Sequence, residues 1–162
     1  MIISIRGIHK SFPDGHETRS VLNDVNIDIR QGTLTALTGR SGCGKTTLLY
    51  ILAGLLKPDA GTYYFQGNEL PLNDRRAMRL FRLQNIGFVL QEDSLLYDRT
   101  VRSNILLGSR FSQHTRQQSL SELDLLSCQL HINHLLNADP RNLSGGEKQR
   151  VAIARGMIGG KT

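Results

Sequence analysis

Disulfide chemistry is nearly closed to this chain. Its 162 residues contain two cysteines, Cys43 and Cys128, far apart and in unlike settings, which excludes a disulfide framework and favours a reducing compartment. Long apolar runs are missing as well. The longest, Leu48 to Leu56, falls short of the ~20 residues that a spanning helix requires. The N-terminal Met1-Ile2-Ile3-Ser4-Ile5-Arg6 breaks off too early for a secretory signal. Any link to a membrane is therefore expected to run through a partner. No block of like charge occurs either: the net charge of +6 comes from scattered basic residues, unlike an arm that grips nucleic acid, so no direct nucleic-acid contact is expected. There is no internal repeat. What remains is ordinary globular composition, 39% hydrophobic and 21% charged, with length enough for one sizeable core.

Periodicity predicts half-buried strands at Ile2 to Ile8 and Val21 to Ile29, with Pro13-Asp14-Gly15 as the turn between them. Thr62-Tyr63-Tyr64-Phe65 follows the turn Asp59-Ala60-Gly61 and is expected to join them in an antiparallel layer. Leu34-Thr35-Ala36-Leu37-Thr38 reads as a short buried strand feeding a glycine-rich loop and then a helix from Lys45 to Ala53. Asn73 to Leu83 predicts a helix whose Arg75, Arg79 and Arg82 form a solvated face, and Ile86 to Leu90 a further buried strand. Thr100 to Leu136 reads as a small helical region with Leu120, Leu123 and Leu126 on one side. The last helix begins near Gly145 and ends at Gly159-Gly160.

The chemistry concentrates at Gly39-Arg40-Ser41-Gly42-Cys43-Gly44-Lys45-Thr46, continued by Thr47. Three glycines let the backbone curl into a nest of inward N–H groups that larger residues would clash with or refuse. Lys45 supplies a cation for β- and γ-phosphates, Thr46 a hydroxyl for Mg²⁺, and the following helix a positive N-terminal end. A glycine-rich turn can match such a pattern by chance. Here a predicted strand precedes it and a predicted helix follows, as a phosphate cradle demands. Cys43 is read as a small residue tolerated in the loop, and as a thiol whose alkylation should block nucleotide binding.

A second helix start lies at Leu143-Ser144-Gly145-Gly146-Glu147-Lys148-Gln149-Arg150. Ser144 three residues before Glu147 forms a capping box, and two glycines leave the first turn bare. From the residues alone this is either a well-capped helix or an anion site.

Together the phosphate loop, Gln91 after Gly87-Phe88-Val89-Leu90, and the Ser144-Gly145-Gly146 segment make the chain resemble the ATP-binding cassette (ABC) family, from about Ile2 to Met157. The resemblance implies an α/β P-loop core with an N-terminal antiparallel β layer and a helical subdomain. The divisions are residues 1–94 for layer and core, about 95–150 for the helical part, and 143–158 for the signature helix. It implies ATP and Mg²⁺ as ligands, held by Phe12, Gly39 to Thr47, Gln91 and Ser144 to Gly146. Phe12 would stack on adenine, Thr46 and Gln91 would contact Mg²⁺, and Lys45, Gln91 and Ser144 would act in catalysis. Ser144, Gly145 and Gly146 would cap the triphosphate of a second cassette in a head-to-tail dimer. Transmembrane permease subunits would be the further partners, the location cytoplasmic and peripheral on the inner face of the cell membrane. The motif style is most similar to export-type cassettes of the lipoprotein, macrolide and antimicrobial-peptide group.

The family's Mg²⁺-binding aspartate, catalytic glutamate, dimer-contact loop and switch histidine follow the signature helix, and no counterpart precedes Thr162. The expectation is therefore the front portion of a cassette, truncated before the Walker B motif. It should bind ATP without hydrolysing it and be poorly soluble, because the sheet neighbours of its P-loop strand would lie in the later segment. Glu92-Asp93 is weighed as a substitute carboxylate pair and set aside, since Gln91 already has a role. His131 and His134 lack a third ligand and read as surface residues. Competing readings are a ribosome- or DNA-associated cassette outside transport, and a non-catalytic nucleotide-binding remnant.

Overall fold

The computed structural model describes residues 1–15, 17–90 and 95–161. These fall into two compact units, Met1–Arg82 and Leu83–Thr162.

The first unit opens with a long hairpin, β1 (Ile3–Asp14) and β2 (Glu17–Ile29). Its register sets Ile3 opposite Ile29, Ile5 opposite Ile27 and Phe12 opposite Arg19. Both strands outrun the expected ranges, and Pro13 and Asp14 lie in β1 rather than in the turn. The reason is that pairing continues past three irregularities, between Ile5 and Ile8, Ile8 and Lys10, and Lys10 and Ser11, which alternation over short windows does not register. β3 (Ala60–Phe65) pairs antiparallel with β1, and the short β4 (Asn68–Glu69) closes the sheet in the order β2-β1-β3-β4. The expected antiparallel layer is present. Its inner face supplies Ile5, Ile8, Leu22, Tyr63 and Phe65 to a core shared with Leu48 and Ile51 of α1 (Lys45–Leu52) and Met78 and Phe81 of α2 (Arg75–Asn85). The Tyr63 hydroxyl donates to the Leu52 carbonyl at 2.7 Å. Phe81 meets Tyr63 and Phe65 edge-on, with ring centroids 6.0 and 5.0 Å away. Such contacts add to the burial of rings that already dominate the apolar area.

Two expected strands are not strands here. Leu34 to Thr38 and Ile86 to Leu90 join no ladder among the described residues, and Leu34 is 100% exposed. Apolar, β-prone composition sets only a preference. An extended segment becomes a strand when a neighbouring strand pairs with it in a ladder, and among the described residues neither segment is paired in that way.

The second unit is helical: α3 (Val101–Leu106), α4 (Arg116–Gln129) and α5 (Gly145–Met157), with short 3₁₀ turns at Leu107–Ser109, Asn133–Leu135 and Pro140–Asn142. Thr100 caps α3 through the Ser103 N–H, and Thr115 with Gln118 builds a full capping box on α4. Val101, Ile105, Leu123, Leu126, Val151 and Ala154 are among its core residues. Gly87 crosses the Gly156 carbonyl so closely that any side chain would collide with it. Asn104, fully buried, accepts from the Leu96 N–H at 2.7 Å and donates to the Leu96 carbonyl at 2.9 Å, tying down the loop ahead of α3.

Candidate functional site

In the first unit the chain between Gly39 and Lys45 is bent by three left-handed glycines, Gly39 at φ 150°, Gly42 at 76° and Gly44 at 92°. An L side chain is strained in that region. Gly44 ends the loop as the N-cap of α1 and offers no side-chain cap, which leaves the first-turn N–H groups, without an intrahelical acceptor, to water or a ligand. Leu48 N–H closes the first turn onto the Gly44 carbonyl at 2.9 Å. Beneath the loop Gly44 rests against the hairpin, where a Cβ would stand 2.9 Å from Leu22 and 3.0 Å from Val21.

Lys45 turns back across the loop. Its ammonium donates to the carbonyls of Gly39 at 2.8 Å and Arg40 at 2.6 Å, and lies 3.8 Å from the Cys43 sulfur. This fixes a positive charge at the rim of the nest, beside the positive end of α1. Cys43 is a free, exposed thiol.

A cavity of about 620 Å³ opens in front of the loop, lined by Ser41, Gly42, Gly44, Lys45, Thr46 and Thr47 on one side and Phe12, Arg19 and Val21 on the other. The structure thus brings Phe12 into one cavity with the loop. Its ring is 37% exposed and carries the Lys10 ammonium 5.4 Å from its centroid. Asp59 anchors this part of β1 by accepting from the Lys10 ammonium at 2.6 Å and the Ser11 N–H at 2.7 Å. Those bonds hold the Asp59 carboxyl below its ordinary pKa, the Lys10 bond contributing most. Neither Asp59 nor Arg19 stood out in the sequence. Their roles come from cross-strand register, which a linear reading does not display.

Thr46 and Thr47 offer hydroxyl oxygens at the cavity, and among the described residues no cluster of three His, Cys, Asp or Glu could hold an ion unaided. A hydroxyl completed by phosphate oxygens suits Mg²⁺, which keeps few protein ligands at nucleotide sites. Gln91, the other expected Mg²⁺ contact, lies outside the described residues, as do Glu92 and Asp93.

In the second unit Ser144 is the N-cap of α5 and forms the expected capping box. Its hydroxyl accepts from the Glu147 N–H at 3.4 Å, and Glu147 Oε2 accepts from the Ser144 N–H and hydroxyl, each at 2.7 Å. The Ser144 hydroxyl and then its N–H depress the Glu147 pKa. Gly145 and Gly146 occupy the first turn with exposed backbone. A Cβ on Gly145 would meet nothing within 4 Å, and one on Gly146 would make only an ordinary 3.5 Å contact with Arg150. Packing inside this chain gives no reason for glycine at either position.

Comparison with known proteins agrees with this geometry. A family model described as ABC transporter matches residues 22–162. A putative hemin import ATP-binding protein, HrtA, of Staphylococcus saprophyticus is 38% identical over 158 residues, covering 98% of this chain and 71% of that protein. The lipoprotein-releasing system ATP-binding protein LolD of Buchnera aphidicola is 37% identical, covering 98% of this chain and 69% of its own length. Among solved structures, the dimeric post-hydrolysis state of the ATP-binding cassette MJ0796 bound to ADP and Pi superposes with a TM-score of 0.84 at 30% identity, covering 98% of this chain and 70% of that one.

Proposed function

Since the chain belongs to the ABC transporter family, we propose that it is the ATP-binding part of a transporter and holds MgATP in the cavity between Phe12 and the Gly39–Thr47 loop. The observation that carries this reading is the loop itself. Gly42 and Gly44, both left-handed, line one opening with Lys45 and the uncapped helix start, and the Lys45 ammonium is held by the Gly39 and Arg40 carbonyls. Phosphate oxygens would accept from the loop N–H groups and from Lys45, which exchanges carbonyl partners for a full negative charge. The base would lie on Phe12. Thr46 and Gln91 would hold Mg²⁺, which would supply positive charge to offset that of the phosphates.

Ser144, Gly145 and Gly146 act on another copy's nucleotide, pairing two cassettes head to tail. Lys45, Gln91 and Ser144 are the residues assigned to hydrolysis in such a pair. The similarity to a dimeric cassette supports this reading. Permease subunits receive the resulting motion, so the protein works in the cytoplasm on the inner face of the membrane. The likeness to a lipoprotein-releasing ATPase favours an export-type system. No described helix is long and apolar enough to cross a membrane. The division into β layer and P-loop core (1–94), helical part (95–150) and signature helix (143–158) follows the same reading. These 162 residues alone would bind ATP without steady turnover. Asp14 is the one carboxylate among the described residues lining the cavity, and it sits at the hairpin end.

Equilibrium binding of ATP with Mg²⁺ tests the assignment. Lys45→Ala should weaken binding at least tenfold, about 1.4 kcal/mol, because a charge-assisted contact is lost. Unchanged affinity would overturn the site, and sustained phosphate release by the unmodified chain would overturn the claim of binding without turnover.

A further inference from the structure

A second concave site in the first unit has chemistry that nucleotide binding does not use. It is a cavity of about 600 Å³ lined by Leu55, Leu56, Lys57, Arg75, Met78 and Arg82, among others, and by no carboxylate among the described residues. α2 brings arginines at 75, 76, 79 and 82 and has no acidic residue in its Arg75–Asn85 span. Arg75, Arg79 and Arg82 share one side at helical spacing, and Met78 and Phe81 are buried against the sheet. Arg82 donates to the Gly54 carbonyl at 2.7 Å, which fixes one guanidinium at the cavity wall. The nearest acid in sequence, Asp74, spends its Oδ1 on the Arg76 and Ala77 N–H groups, at 2.8 and 3.0 Å. Among the described residues none of Lys57, Arg75, Arg76, Arg79 and Arg82 forms an ion pair.

Like charges three and four apart on a helix repel one another, and an external anion would relieve that repulsion. Guanidinium groups favour phosphate oxygens through paired N–H donors. Among the lining residues stands an outward leucine, Leu55, at 55% exposure. Unneutralised arginine together with exposed aliphatic surface complements the boundary of an anionic bilayer, where phosphate and acyl chain are adjacent. We propose that this face of α2 docks on an anionic phospholipid membrane, one lipid phosphate entering the cavity beside Arg75 and Arg82. The proposal stands apart from the nucleotide site and survives if Lys45 proves unimportant.

Co-sedimentation of the full 162-residue chain with vesicles tests it, using phosphatidylcholine alone or mixed with phosphatidylglycerol. Partitioning is expected only with the anionic lipid, and it should weaken with added salt. Each cation near an anionic surface is worth about fivefold, so Lys57→Gln, Arg75→Gln and Arg79→Gln together should lower partitioning by about a hundredfold. These side chains are solvent-exposed, and an unchanged far-UV spectrum verifies the fold. A control removes three cations elsewhere: Arg30→Gln, Arg110→Gln and Arg116→Gln. Equal loss in the control assigns the effect to net charge and overturns the proposal, as does equal partitioning into neutral vesicles. A glutamate-rich amphipathic peptide that binds through the same three cations while vesicles do not would assign the face to a protein partner, and likewise overturns it.

Discussion

Replacing Gly145 and Gly146 together by alanine separates two explanations of the signature helix by the sign of two effects. Neither glycine has a left-handed backbone, and the added methyls meet open space at 145 and one 3.5 Å contact at 146. Alanine is a better helix residue than glycine by up to about 1 kcal/mol in a helix interior, and less in a first turn. The double variant should therefore gain about 1 kcal/mol, which for a chain this size raises Tm by about 2–4 °C. If the glycines exist only to start a well-capped helix, nothing else changes. If they admit a second copy's triphosphate, the methyls stand where phosphate oxygens must come within about 2.9 Å of N–H groups. Losing one charge-assisted bond of about 2 kcal/mol weakens the ATP-dependent pair about thirtyfold. Thermal unfolding and sedimentation velocity with MgATP measure the two effects on the same sample. A variant that self-associates with ATP as strongly as the parent refutes the reasoning, and so does a parent that never associates.

Three further outcomes follow from the geometry. Gly44→Ala should weaken ATP binding more than Gly42→Ala. Both impose left-handed strain of about 1–2 kcal/mol, but only the former also drives a Cβ to 2.9 Å from Leu22 and 3.0 Å from the Val21 carbonyl, and equal affinities by titration calorimetry would contradict this. Tyr63→Phe should cost about 1–3 kcal/mol in a denaturant titration, because the Leu52 carbonyl loses its 2.7 Å donor in a partly buried setting; no change in midpoint would show that water replaces the hydroxyl. The Glu147 carboxyl has its pKa depressed below 4.5 in the folded state, so its cap is fully stabilising above that value and is lost as pH falls through the depressed one. Amide exchange at Ser144, followed by NMR across this acid range, should quicken accordingly, and a flat profile would count against the cap.

Legibility followed the range of the interactions. The capping box at Ser144 and Glu147 spans three residues and was plain from their spacing. The antiparallel layer was visible because β1, β2 and β3 each alternate with one buried face, although the length of the hairpin was not. Pairing from Ser11 to Asp14 depends on register beyond the three irregularities between Ile5 and Ser11. The supporting parts of the candidate site escaped for the same reason. Asp59 reaches Ser11 across 48 positions, and Arg19 faces Phe12 only because the hairpin aligns them. The two missing strands are the opposite case, since strong local preference at Leu34 to Thr38 and Ile86 to Leu90 meets no ladder among the described residues.

This division bears on how binding and turnover are built. The anion cradle is closed almost wholly by near neighbours: Lys45 onto Gly39 and Arg40, Cys43 N–H onto the Arg40 carbonyl at 3.4 Å, and Leu48 onto Gly44. A distant support is the hairpin at Val21 and Leu22, which belongs to the same unit. Short loops close at small entropic cost, so such a nest can form although Leu34 to Thr38 lacks sheet neighbours. Hydrolysis asks for more: a positioned water, a carboxylate, and a second helix start on the far side of the phosphates. On the proposed function those demands would fall on long-range and intermolecular contacts. ATP affinity should therefore be measurable in a chain that shows no steady turnover, because the two draw on interactions of different range.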